Sequence, residues 1–349
     1  MAEELSCVYL IALGNPRGGT LSVLVMRWFI TGADRFVGRF IAKAALARGD
    51  EVVAVVRDLE ASKGDPLSER EPKVTRVAID WDGDGADEAL AKAMAGCDVI
   101  AHSDLGNPWS LDRRECERAV LVRVEQLIDA GRHAKVSRFI LRSSERVTSS
   151  GDPRRMVDET LGHSDRWLSP WDEMVAVAEG LVCSLTAGME GVALRAAFVW
   201  GPGDDESLPR FRSLSKNKLL TLPSGGNQSF CTTHAANLAQ AFLCAADAGP
   251  EVAGNAYWAL DEEITTAKRF LTRWLVTAGE KGPRSGLLPY SAARFLSWID
   301  ERSGGMSRAE LALVGVALSI DSKRTRAELG YEPALTIDEG MKLMLANAP

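Results

Sequence analysis

Two stretches of this chain carry residue types and spacings that could do chemistry. The first is Thr31-Gly32-Ala33-Asp34-Arg35-Phe36-Val37-Gly38, set between an apolar run and an amphipathic one. Glycines in that context let a turn bring backbone N–H groups to a pyrophosphate at a helix N-terminus. About twenty residues later, Arg57-Asp58 close a second apolar run, where the ribose of such a ligand would be read. The second stretch is Ser143-Ser144, two hydroxyls just past the apolar run Arg138–Leu141. Strand ends of this kind hold the ligands of open α/β sheets. Asp104, His102 and His163 are the candidate acid–base groups around them, although an isolated histidine is more often a satisfied structural residue. Asp172 and Glu173 fall in a first helical turn, where carboxylates meet the positive end of the helix dipole. Trp167, Trp200 and Trp258 suggest an aromatic-lined cavity for a bulky apolar ligand.

The elements that must position these residues alternate. Arg27–Thr31 reads as a buried strand, followed by a helix with apolar positions at Val37, Phe40, Ile41, Ala44 and Ala45 that ends at Gly49. Glu51–Val56 is a nearly continuous β-branched run, as a parallel strand covered on both faces requires. Val74–Ile79, Asp98–Ala101 and Arg138–Leu141 are further short strands, separated by helical stretches at 87–95 and 117–130. This alternation predicts an α/β fold with a doubly wound parallel sheet of Rossmann type. Residues 26–200 form its nucleotide-binding domain, with a return segment near 231–262. Residues 201–349 are mainly a smaller C-terminal substrate lobe, with helices expected at 235–247, 264–279 and 308–315. Residues 1–25 precede the fold as an extension: a tail, an added edge strand or a start-site artefact.

Bulk properties narrow the function classes. The 349 residues carry a formal net charge of -7, and no Lys/Arg stripe offers a footprint for nucleic acid or an anionic membrane. The apolar run at 7–13 follows Glu3 and Glu4 and is too short to span a bilayer, so neither a signal peptide nor a membrane anchor is expected. Six cysteines, with no CxxC pair and no histidine at ligand spacing, argue against a disulfide framework or a metal site. The expectation is a cytoplasmic protein with a small-molecule substrate, and a homodimer is its expected assembly.

Further segments carry a family resemblance. Asp80 ends the third strand. Leu194-Arg195-Ala196-Ala197-Phe198-Val199-Trp200-Gly201-Pro202-Gly203-Asp204, Thr233-His234-Ala235-Ala236-Asn237-Leu238 and Asp321-Ser322-Lys323…Gly330-Tyr331-Glu332-Pro333 follow in order. With the glycine loop and Arg138–Ser144, they resemble the extended short-chain dehydrogenases/reductases over roughly residues 26–345. The resemblance is closest to the epimerase/dehydratase and 3β-hydroxysteroid-dehydrogenase-like branch. It implies a cofactor site at Gly32, Arg35, Phe36, Gly38, Arg57, Asp58 and Asp80, a catalytic serine at Ser143 or Ser144, and a mainly structural role for His234.

That family also uses a Tyr and, four residues later, a Lys on one helix. The matching positions here are Trp171 and Val175, and none of the four tyrosines has Lys at that spacing. An indole N–H has no proton that titrates usefully, and valine can neither bind ribose nor bias a neighbouring pKa. Arg35 replaces a family glycine in the loop. Together with Arg57 it favours NADP(H) over NAD(H), while Asp58, Phe36 and Asp104 count against tight binding of either, and a protein that binds no dinucleotide remains an alternative. The expected function is atypical, non-redox chemistry on a bulky metabolite: cyclisation, dehydration or isomerisation. The alternatives are an NADP-dependent oxidoreductase or epimerase with a displaced acid such as Asp104 or His163, and a non-catalytic binding or assembly subunit.

Overall fold

The computed structural model of the protein describes residues 25–59, 72–186, 188–286, 289–300 and 305–347. The N-terminal extension lies outside these apart from its last residue. Seven parallel strands form the central sheet: β1 (Arg27–Ile30), β2 (Glu51–Val56), β3 (Val74–Ala78), β4 (Val99–His102), β5 (Arg138–Ser144), β6 (Glu190–Ala196) and β7 (Asn255–Ala259). Their order is β7-β6-β5-β4-β1-β2-β3. Every neighbouring pair is parallel. The chain therefore reverses direction between β1 and β4, and a crevice opens beyond the carboxyl ends of the strands there. β5 continues through Ser143 and Ser144, so both hydroxyls belong to the strand end itself.

Helices cover both faces, which is why β2 is buried from Val52 to Val56. On one face α1 (Phe36–Arg48) packs against α5 (Ala235–Asp247), whose alanines let the two helices approach closely. On the other lie α2 (Ala86–Ala93), α3 (Arg123–Ala134) and α4 (Pro170–Cys183). Glycine is required at Gly38, where a Cβ would sit 2.2 Å from the Gly32 carbonyl oxygen; only a bare backbone lets α1 start this close to β1. The start of α4 is equally well defined. Ser169 extends before it and accepts from the Asp172 N–H at 3.2 Å, with Pro170 at the first helical position.

Beyond β6 a second apolar cluster gathers Phe198, Trp200, Phe211, Phe230, Phe270 and Trp274, mostly edge to face. Here the structure corrects the sequence reading. Trp200 and Trp258 are fully buried in packed cores, and Trp167 rests against the cluster under α4, so none of the three lines a ligand cavity. Trp200 and Trp258 each hold the fold by the ~1.5–3 kcal/mol that fully burying a large apolar side chain contributes. Among the described residues no helix is long and apolar enough to cross a membrane.

Candidate functional site

The crevice has two halves. The first is a groove of about 500 Å3 over the ends of β1–β3, lined by Gly32, Arg35, Arg57, Trp81, Asp104 and Arg123 among others. Gly32 adopts φ +60, and a Cβ on it would meet the Asp104 side chain at 2.9 Å, so the turn requires glycine. No side chain caps the N-terminus of α1, which leaves its first N–H groups available to an anion. Phe36, by contrast, is buried edge-on to Phe40 and takes no part in the groove.

Arg35 does not stand free for a 2′-phosphate. Its Nη1 lies 3.2 Å from Asp104 Oδ1 and its Nε 3.2 Å from Asp205 Oδ2. Burial opposes the guanidinium charge, but Asp104, Asp205 and Glu206 outweigh it and raise the Arg35 pKa. Asp104 is shared with Arg123 at 3.6 Å. This carboxylate serves as a bridge between cations in the groove and does not reach the strand-end serines as a displaced acid. Arg57 is exposed, its N–H and Nε directed at Asp34 Oδ2 at 3.3 and 3.4 Å. Asp58 is exposed one residue further on. Asp80 is exposed too, in a turn closed by the Gly83 N–H on its carbonyl, and Ile79, Trp81 and Asp82 line the groove instead.

The second half, over the ends of β5 and β6, is nearly filled by side chains. Its cavity measures about 40 Å3 and is lined by Trp109, Arg142, Ser144, Arg146, Trp171 and Glu206, with apolar walls from Ala196 to Val199. That is room for about three water molecules. Trp171 is 3% exposed and donates its indole N–H to the Leu105 carbonyl at 2.8 Å. Val175 is fully buried in the core below α4 and faces no ligand space.

Ser143 donates to Glu179, which also accepts from Arg195 at 2.6 Å and meets His163 Nε2 at 2.7 Å. Burial raises the Glu179 pKa, but His163, Arg195 and Ser143 overcome this and hold it down at about 2. His163 is thus engaged behind the strand end, outside the cavity lining, and Ser143 is committed to the same carboxylate. His102 is buried against Thr31 Oγ1 at 2.8 Å, with burial lowering its pKa to about 3. It remains neutral, in a structural role. His234 is buried as well; its Nδ1 accepts from the Ala236 N–H at 3.1 Å.

Arg142, Glu206, Arg146 and Trp109, all around this cavity, were not singled out in the sequence. Arg142 donates to both oxygens of Glu206, at 2.7 and 2.5 Å. Arg146 lies beside two indoles, its guanidinium 5.1 Å from the Trp109 ring and 4.8 Å from the Trp171 ring. It also stands 2.7 Å from Asp172 Oδ1. Burial is the main reason that the Asp172 carboxyl rises to about 6, with Arg146 pulling the other way. The available signal was the run Arg142-Ser143-Ser144-Glu145-Arg146, which sets two cations and an acid around a strand end.

A dinucleotide fits one half of this crevice and not the other. The glycine turn, the uncapped helix start and the open groove suit the adenosine end; 40 Å3 does not admit a nicotinamide ring beside Ser144.

Comparison with known proteins agrees with this architecture. Residues 29–286 match the 3-beta hydroxysteroid dehydrogenase/isomerase family. A 4-hydroxy-2-methyl-3-oxo-4-farnesyl-3,4-dihydroquinoline-1-oxide ketoreductase of Stigmatella aurantiaca is 29% identical, over 93% of this chain and 97% of its own. A 3-beta-hydroxysteroid dehydrogenase of Mycolicibacterium neoaurum is 28% identical, over 94% and 92%. The solved UDP-glucuronic acid 4-epimerase of Bacillus cereus, in complex with NAD, superposes with a TM-score of 0.69 at 19% identity, covering 92% of this chain and 98% of that one; it shares the fold. This chain belongs to the 3-beta hydroxysteroid dehydrogenase/isomerase family.

Proposed function

We propose that this chain is a nucleotide-binding member of the family that acts on a small molecule at the ends of β5 and β6 by non-redox chemistry: dehydration, isomerisation or cyclisation. The observation that carries this reading is Trp171. At the position that the resemblance assigns to a proton-donating phenol stands a buried indole whose one N–H is already bonded to the Leu105 carbonyl. Val175, at the ammonium position, lies in the core. Loss of positioned acid–base help lowers a rate by about 10²–10⁴, so hydride transfer to a ketone has no relay here.

When bound, a nicotinamide dinucleotide supplies hydride. In this chain Gly32, Gly38 and the start of α1 would hold its adenosine-side phosphates, and Arg57 would favour NADP over NAD. The NAD carried by the epimerase neighbour supports a nicotinamide nucleotide as the ligand class.

A second reading, an NAD(P)-dependent reductase with a displaced acid, is favoured by one observation. Asp172, next to Trp171, holds a carboxyl at about 6 and could carry a proton near neutrality. The ketoreductase relative is consistent with it.

The deciding experiment offers NADPH and NADH, with a panel of ketones and 3-oxo compounds, to purified protein and to the Trp171→Tyr/Val175→Lys double variant. The first reading expects nucleotide binding without ketone-dependent oxidation of NAD(P)H in either protein. Ketone-dependent oxidation by the wild type that is lost in Asp172→Asn would establish the second.

A further inference from the structure

The cluster around Arg146 has one feature that the fold does not explain. Arg146 follows β5 in the short turn Glu145–Thr148 and is 93% buried. Its Nη1 donates to the Pro108 carbonyl at 2.8 Å and its Nη2 to Ser169 Oγ at 3.0 Å. The Trp109 and Trp171 ring centroids lie 5.1 and 4.8 Å from its guanidinium carbon. Its Nε, however, is buried without a partner among the described residues. A buried guanidinium N–H left unmatched is costly. Structures retain such a group where something else comes to satisfy it.

The neighbours indicate what that is. Ser144 accepts from the Arg146 N–H at 3.2 Å, and among the described residues its own hydroxyl proton meets no acceptor. Ser144 and Arg146 line the same 40 Å3 space. The other cation on it, Arg142, is matched by Glu206, and Glu145 is matched by Arg154 at 2.7 Å. Arg146 Nη2 stands 2.7 Å from Asp172 Oδ1, so Asp172 answers that edge of the guanidinium while the Nε–H is left over. The cavity is therefore lined by two residues with a donor to spare, Arg146 and Ser144, and by apolar walls at Ala196, Ala197, Phe198 and Leu313.

We propose that Arg146 and Ser144 form an oxyanion-binding site, and that the small molecule taken by this protein carries a carboxylate whose oxygen seats between the Arg146 Nε–H and the Ser144 hydroxyl. The proposal rests on the strand-end placement of the ligand argued above and deepens it by naming the ligand class. A carboxylate head suits two donors on one small cavity better than a neutral carbonyl, since charge-assisted hydrogen bonds are about twice as strong as neutral ones. The cavity volume suits such a head group and excludes a ring. Trp109 and Trp171, held against the guanidinium, also make the site report on itself through indole fluorescence.

The test uses acetoacetate and its neutral isostere acetoacetamide as probes, titrated into the full-length protein with tryptophan emission as the readout. Acetoacetate is expected to bind at least about tenfold more tightly than the amide, the scale of one charge-assisted bond. Ser144→Ala should weaken acetoacetate about five- to tenfold. Arg146→Met should remove the preference for the charged probe, with Arg146→Lys retaining part of it. Equal affinity for the two probes, or no binding of either, overturns the proposal, as does a preference that survives in Arg146→Met. Should the Arg146 variants fail to fold, the wild-type comparison and Ser144→Ala decide. Reduction of acetoacetate by NADPH would refute the non-redox reading while leaving the anion site standing, so the two failures are separable.

Discussion

The two halves of the crevice solve opposite problems with the same kinds of residue. Over β1–β3 the groove is open, and its charges are partly solvated and shared: Arg35 between Asp104 and Asp205, Asp104 between Arg35 and Arg123, Arg57 exposed beside Asp34. Over β5 and β6 the charges are buried and paired: Arg142 with Glu206, Arg154 with Glu145, Arg195 with Glu179. A groove with spare capacity can exchange partners for a ligand. A filled cavity instead holds its shape, and it takes up only what satisfies its unmatched atoms. The lesson is that ion pairs at the mouth of a parallel sheet serve binding or rigidity according to how far water reaches them.

Removal of Glu179 should separate the halves most sharply. Glu179→Ala leaves Arg195 buried without its carboxylate and frees Ser143 and His163 together. Breaking a buried pair from one side costs about 3–5 kcal/mol, which urea unfolding would register as a large fall in the midpoint. Arg57→Ala in the groove should leave that midpoint in place, because its guanidinium is exposed and its backbone N–H still serves Asp34. Equal effects of the two substitutions would erase the distinction.

A smaller effect is expected where the groove meets its ligand. Asp205→Asn frees the Nε of Arg35 and removes a negative charge from the phosphate approach. NADH should then bind about three- to tenfold more tightly by fluorescence titration, the range of one surface-level charge contact, while adenosine, which has no phosphate, should be unaffected. Weaker NADH binding would mean that the Arg35–Asp205 contact supports the site and does not obstruct it.

The smallest effect concerns pH. The Asp172 carboxyl titrates near 6 in the folded protein, above its ordinary value near 3.8. Its ionised form therefore burdens the folded state at neutral pH, and stability is regained as pH falls from about 7 toward 4. Asp172→Asn abolishes that gain. Between pH 7 and pH 5 the variant should lose about 1 kcal/mol more stability than the wild type. The comparison is made between the two proteins at each pH, because His102 and His234, held neutral by burial, destabilise both as the pH falls below about 6.5. Parallel pH profiles would show that Asp172 is already matched.

Much of the fold was legible in the sequence for a local reason. A strand buried on both faces must be apolar throughout, as Glu51–Val56 nearly is, and a glycine turn must precede a helix at close approach, as at Gly32 and Gly38. Those constraints act over a few residues, so a linear reading finds them. The replacement residues Trp171 and Val175 were visible for the same reason. The state of the site was not. Arg35 read as a phosphate ligand because of its place in the glycine loop; the partners that engage it lie 69 and 170 residues away. Trp200 and Trp258 read as ligand walls because an aromatic side chain gives no local sign of what it packs against, and the tertiary fold placed them in the core. Arg146 drew no attention because its surroundings come from two distant segments, around Pro108 and around Ser169–Trp171. The sequence by itself determined the α/β frame, the glycine turn and the absence of a phenol and an ammonium at positions 171 and 175. Only the tertiary structure decided which charges are matched, which donor is left over and how little space remains at the strand ends, because each of those depends on contacts between residues far apart in the chain.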